Sequence, residues 1–246
     1  MMPRSVYNRP VLDCSSDIQY LKPGVHIIHS PNYDRDNPQD YGNNYRCTYK
    51  LQPADQKGRL RFDCFFFQLE DSRYCKNDVL KVVIGIMHYA FCGRDKPHFL
   101  IADKFDITFK TDSTITDKGF LCTVMSMTPE VGPGSLPCGT HNVGPGTYPL
   151  LSQNYPNHYG RSIYCRWELI PKGSSLKMYF SCSDFDMISW DNSCEWDWMK
   201  VSGVHHCNNN KPAPLQLMGT VLIVRYSTPD IPNTKRRGFN CTLVVR

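Results

Sequence analysis

The residues with the most chemistry to offer in this 246-residue chain are its twelve cysteines. Thiols at that density, about 5% of the chain, bind metal, do redox or nucleophilic work, or are oxidised in pairs, and reducing compartments seldom carry them without one of the first two uses. The one tight histidine cluster, His205-His206-Cys207, is not expected to hold zinc, because the pairing of cysteines claims Cys207. Hydrolase signatures are missing as well: there is no Gly-x-Ser-x-Gly elbow, no His-Glu-x-x-His and no Gly-Asp-Ser-Gly stretch, so the chain is not expected to be an enzyme. Oxidised pairs in a secreted, extracellular protein are the expected use of the sulfur. Met1 to Asn8 contain no apolar stretch of the signal-peptide kind, so a mature chain, a fragment or an incomplete gene reading is expected.

The spacing of the cysteines exposes the organisation. Cys14, Cys47, Cys64, Cys75, Cys92 and Cys122 stand at intervals of 33, 17, 11, 17 and 30; Cys138, Cys165, Cys182, Cys194, Cys207 and Cys241 follow at 27, 17, 12, 13 and 34. One six-cysteine unit is used twice. Flanking residues agree: Ser30-Pro31-Asn32-Tyr33 matches Ser152-Gln153-Asn154-Tyr155-Pro156, and Gly119-Phe120-Leu121-Cys122-Thr123-Val124 matches Gly238-Phe239-Asn240-Cys241-Thr242-Leu243. Thr128 to Pro137 is too rich in proline and glycine to continue a strand or helix. The expected division is an N-terminal extension over 1–13, a first domain over 14–127, a linker over 128–137 and a second domain over 138–246.

Inside each unit the apolar period is two. Leu60, Phe62, Cys64 and Phe66 alternate with Arg61, Asp63 and Phe65, as Leu176, Met178, Phe180 and Cys182 alternate with Lys177, Tyr179 and Ser181. The closing segments place Phe120, Cys122 and Val124 on one face, and Phe239, Cys241, Leu243 and Val245 on the matching face. Short half-buried strands without a convincing amphipathic helix predict an all-β protein of two consecutive sandwiches. Cys64, Cys122, Cys182 and Cys241 all point inward, although six cysteines allow about 15 pairings and spacing does not choose among them.

Composition sets outer bounds. With 41% apolar and 12% aromatic residues the chain can bury a core, and no apolar run approaches the length of a bilayer-spanning helix. The net charge of +5 divides into +2 for residues 1–129 and +3 for 130–246, too little to predict nucleic-acid binding. Oligomeric state is not legible.

The ordered residues resemble a CUB domain, twice over. Cys14, Ile28 to Tyr33, Cys47, Leu69-Glu70, Cys75 to Leu80, Cys92-Gly93, Phe109 to Asp112 and Gly119-Phe120 carry the resemblance in the first copy. Cys138-Gly139, Asn154 to Pro156, Cys165 to Trp167, Phe185-Asp186, Cys194 to Asp197 and Gly238-Phe239 carry it in the second. The resemblance implies jelly-roll-like sandwiches with Cys14 bridged to Cys47, Cys75 to Cys92, Cys138 to Cys165 and Cys194 to Cys207. The inward parity of the remaining four then pairs Cys64 with Cys122 and Cys182 with Cys241, a third bridge that resembles those of arthropod secreted CUB proteins.

The same resemblance implies a Ca²⁺ site in the first copy at Glu70, Asp78 and Asp112, supported by Tyr33 and Thr114. Ca²⁺ takes about 6 to 8 hard oxygen ligands, and three converging carboxylates without a cation would repel one another. In the second copy Ile188 falls at the glutamate position and Ser227 at the distal aspartate, leaving Asp197, with Asp230 further along an uncertain loop. One Ca²⁺ per chain is expected. The acidic face is expected to receive a lysine or arginine from an extracellular protein; a glycan is the other partner considered.

Three lesser features complete the reading. Trp190 and Trp198, among Asp191, Glu195 and Asp197, are marked as a possible partner contact, whereas Trp196 is expected in the core. Lys235-Arg236-Arg237 could meet heparin or an anionic surface, although short basic runs are usually just solvated. Asn240-Cys241-Thr242 is a glycosylation sequon, and an inward Cys241 puts Asn240 on the outer face. The expected function is calcium-assisted extracellular recognition without catalysis. The non-catalytic regulatory region of a larger secreted protease is the alternative from another class, and a structural, cuticle or venom component a third.

Overall fold

The computed structural model describes residues 9–34, 36–189, 194, 196–228 and 235–246. The chain divides into two compact units, 1–127 and 128–246. Among the described residues each is a two-layer β-sandwich of nine strands, and the one helical element is a 3-10 turn at Arg73–Cys75.

In the first unit the strands are β1 (Ser15–Leu21), β2 (Gly24–His29), β3 (Arg46–Pro53), β4 (Arg59–Gln68), β5 (Val79–Ile84), β6 (Met87–Phe91), β7 (Leu100–Ala102), β8 (Phe105–Lys110) and β9 (Gly119–Met127). One sheet runs β1-β3-β8-β5-β6 and the other β2-β9-β4-β7. The second unit comprises β10 (Gly139–Val143), β11 (Gly146–Leu151), β12 (Tyr164–Pro171), β13 (Lys177–Asp186), β14 (Trp198–Val201), β15 (Val204–His206), β16 (Leu215–Met218), β17 (Leu222–Ser227) and β18 (Gly238–Val245). Its sheets, β10-β12-β17-β14-β15 and β11-β18-β13-β16, repeat the order strand for strand.

The period-two alternation buries one face of each sheet. Leu60, Phe62, Cys64, Phe120, Cys122 and Val124 join Ile28, Phe105 and Phe109 in the first core; Met178, Phe180, Phe239, Cys241 and Leu243 join Trp167 and Tyr226 in the second. The alternation breaks in β4 and in β13. A bulge between Cys64 and Phe66 sends Phe67 inward against Phe120, so Phe66, expected inside, instead packs its ring against Tyr33. The matching bulge between Cys182 and Asp184 sends Phe185 inward.

The structure joins Cys14 to Cys47, Cys64 to Cys122, Cys75 to Cys92, Cys138 to Cys165, Cys182 to Cys241 and Cys194 to Cys207. Cys64 and Cys122 face each other directly across β4 and β9 of one sheet, as do Cys182 and Cys241 across β13 and β18.

The repeated serine and Gly-Phe motifs explain one another. Buried Ser30 accepts the Phe120 N–H at 3.0 Å, and Ser152 accepts that of Phe239 at 3.0 Å. The intervening glycines, Gly119 (φ +82°) and Gly238 (φ +89°), occupy the left-handed region, where a Cβ would overlap the serine Oγ. Each turn is thereby clamped to the last strand of its unit.

Residues 128–137, expected as a linker, belong to the second unit. Thr128 bridges Ile163, the Gly132 and Leu136 amides donate to Leu151 and Pro149, and the Trp167 indole donates to the Leu136 carbonyl at 2.7 Å. The segment covers core apolar surface with Val131 and Leu136, so its proline and glycine end a strand without freeing the chain. Part of the extension behaves alike, since Leu12 packs on the first core and exchanges backbone hydrogen bonds around Ile27.

Candidate metal centre

Glu70 follows β4, Asp78 immediately precedes β5, and Asp112 lies two residues beyond β8, which brings all three to one end of the first sandwich. An oxygen from each lies within 4.8 Å of one from each of the others. Asp78 is fully buried and Glu70 is 8% exposed.

The surrounding hydrogen bonds hold this geometry. The Asp112 N–H donates to Asp78 Oδ1 at 2.8 Å, the Asn77 amide donates to Glu70 Oε1 at 2.7 Å, and Thr114 gives both its N–H (2.8 Å) and hydroxyl (3.0 Å) to Asp112 Oδ1. The phenol of Tyr41 donates to Asp78 Oδ2 at 2.6 Å and accepts the Glu70 N–H at 2.9 Å. Burial first, and then the hydrogen bond to Asp78, hold that phenol well above its ordinary range. No ion pair to any of the three carboxylates occurs among the described residues, and buried Glu70 Oε2 has no hydrogen-bond partner.

The tyrosine hydrogen-bonded to the trio is Tyr41. Tyr33, expected as its support, rests against His29 and Phe66, while Tyr41 donates to the Asp78 carboxylate. The available signal was the pair Tyr41-Gly42, repeated as Tyr159-Gly160.

The second unit keeps the scaffold and loses the acids. Tyr159 donates to buried Asp197, and the Ile188 N–H donates to Tyr159 Oη at 2.8 Å. Ile188 therefore holds the place of Glu70. Ser227 does not hold that of Asp112: it faces Tyr164 across the sheet as Lys110 faces Arg46, and Thr228 repeats the Thr111 contacts. The position after Thr228 is Pro229, outside the described residues, whose side chain has no oxygen to offer. Asp230 also lies outside the described residues. Tyr226 replaces Phe109, each packed edge-on against the Gly-Phe phenylalanine at 4.9 and 5.0 Å.

A CUB-domain model matches residues 14–123 and 138–243. The chain belongs to the CUB family. Among curated relatives, human Tolloid-like protein 1 is 25% identical over 83% of this chain and 24% of its own length, and human Cubilin is 26% identical over 89% and 6%. The chain thus spans a quarter or less of these relatives. Among solved structures, the CUB1-EGF-CUB2 domain of human MASP-1/3 aligns over 90% of the chain and 99% of its own (18% identity, TM-score 0.38), and the MASP-1 CUB2 domain bound to Ca²⁺ over 46% and 99% (21%, 0.38). CUB domains are non-catalytic modules typical of extracellular protein interaction.

Other expected contacts on the CUB units fare differently. Trp198 is not an exposed contact: it is 7% exposed, with Tyr164 and His205 edge-on to its ring. Trp196 is half-buried, and Trp190, Asp191 and Glu195 lie outside the described residues. Arg236 and Arg237 are not a free basic patch, because Arg236 pairs with Asp186 at 2.7 Å and Arg237 with Asp184 at 3.2 Å. Asn240 stands on the outer face of β18 but is half-buried, while the nearby Tyr155 hydroxyl donates to Asp184 at 3.0 Å. Among the described residues no helix is long and apolar enough to cross a membrane.

Proposed function

We propose that this chain is a secreted, non-catalytic binding protein whose first CUB unit holds one Ca²⁺ at Glu70, Asp78 and Asp112. The observation that carries this reading is the orphaned, buried Oε2 of Glu70 within a trio of carboxylates that has no cationic side chain among the described residues. Burying such oxygens without a counter-charge is costly, and a hard dication is the ligand that suits them. When bound, the ion neutralises mutual repulsion among the acids. Tyr41 and Thr114 orient the carboxylates beforehand, and the exposed side of the trio is left to accept the ammonium or guanidinium of a protein partner.

Calorimetric titration of the oxidised chain with Ca²⁺ tests this. One site per chain is expected, and Asp78→Ala should abolish it. Two sites, or none in the parent chain, would overturn the reading.

A further inference from the structure

We propose that the outer face of the five-stranded sheet in the second CUB unit binds a linear sulfated polysaccharide, laid across the strands along Arg166, Arg225 and Lys200. The site is independent of the calcium reading.

The register makes the row. Arg166 on β12 stands directly opposite Arg225 on β17, Arg225 opposite Lys200 on β14, and Lys200 opposite His205 on β15. Neighbours in such a rung are separated by one strand spacing, about 4.8 Å. Like charges directly opposite one another destabilise a sheet. The fold does not impose them: the same rung in the first unit reads Thr48, Thr108, Lys81 and Ala90, with the two threonine hydroxyls 3.3 Å apart.

Little among the described residues offsets the row. Among the described residues its one ion pair is Arg166 with Glu168, at 2.9 Å. Both arginines are half-buried, and the Nε of each is buried without a hydrogen-bond partner. A guanidinium partly withdrawn from water, its planar fork held in place, suits an oxyanion able to accept two bonds at once.

The surroundings choose the class. Beside the row lies a groove of about 340 Å³ lined by Lys200, Ser202, Gly203, Val221, Ile223 and Arg225. Its apolar side chains suit the faces of sugar rings, and Ser202 suits their hydroxyls. A single line of cations, with Glu168 and Ile223 one step along their strands, matches a linear polyanion rather than the broad face of a membrane. Six disulfides place the chain in an oxidising compartment, which favours sulfate esters over nucleic-acid phosphates.

The test is retention of the full oxidised chain on immobilised heparin. Arg225→Gln with Lys200→Gln should elute at lower NaCl than the parent, with the log–log salt slope reduced by about two, one for each cation removed. Lys81→Gln, at the same rung of the first unit, should elute with the parent. Should the double variant fold poorly, the parent supplies a second readout: a heparin oligosaccharide should shield Lys200, and not Lys81, from amine acylation. The proposal is overturned if the parent is not retained at physiological salt, if the double variant and Lys81→Gln shift alike, or if heparin leaves Lys200 as reactive as before. It is equally overturned if the double variant loses binding to phosphatidylserine vesicles but keeps its heparin retention.

Discussion

The hydroxyl of Tyr41 lies 2.6 Å from Asp78 Oδ2 and donates to it, deep in the first unit. Because the same oxygen also accepts the Glu70 N–H, one phenol ties together two of the three segments that carry the acids. Tyr159 does the same for Ile188 and Asp197. The two phenols therefore separate scaffold from metal chemistry.

Replacing Tyr41 with phenylalanine leaves a buried carboxylate oxygen and a buried N–H short of a partner, at a cost of about 1–3 kcal/mol. The melting temperature of the first unit should fall by several degrees and the calcium titration should weaken. Tyr159→Phe should lower the stability of the second unit equally and leave the calcium heat unchanged. Equal loss of calcium binding in both variants would show that the phenol has no specific link to the acidic trio.

The inward bridges close the longest loops. Cys64–Cys122 spans 58 residues and Cys182–Cys241 spans 59, against 17 for Cys75–Cys92. Loop-closure entropy assigns about 4 kcal/mol to each long bridge and about 3 to the short one. Replacing Cys64 and Cys122 together by alanine should therefore lower the urea midpoint more than replacing Cys75 and Cys92. The reverse order would indicate that the unfolded chain already holds β4 and β9 together.

High pH should expose a tyrosine-dependent loss of stability. Burial is the first cause that holds the phenols of Tyr41, Tyr159 and Tyr226 well above the usual value, and it pushes Tyr49 up to about 12. Their unfolded pKa is about 10. Since the folded values are raised, this stability is complete below about pH 10 and is lost as pH rises further, when the unfolded chain ionises first. Tyrosinate absorbance should show these four ionising only with unfolding, observed in parallel by circular dichroism. A single titration of all 14 tyrosines near pH 10 with the fold intact would contradict it.

Much of this protein is written in one dimension. The duplication is carried by cysteine intervals, and the two sandwiches by an apolar period of two, because pairing parity and strand alternation are both local properties of a chain. Glu70, Asp78 and Asp112 could be singled out because family spacing preserves them even though 42 residues separate the first from the last. What spacing could not supply was anything set by register or bulges. A single extra residue after Cys64 exchanges the faces of Phe66 and Phe67, and Tyr33 and Tyr41 can be told apart only once β3, β5 and β8 bring one phenol to Asp78. Trp198 and Arg236 each stand among charged residues in sequence, yet their partners Tyr164 and Asp186 come from strands more than 30 residues away. The rung of Arg166, Arg225 and Lys200 is likewise invisible until three strands are aligned, since cross-strand neighbours are chosen by hydrogen-bond register and not by distance along the chain.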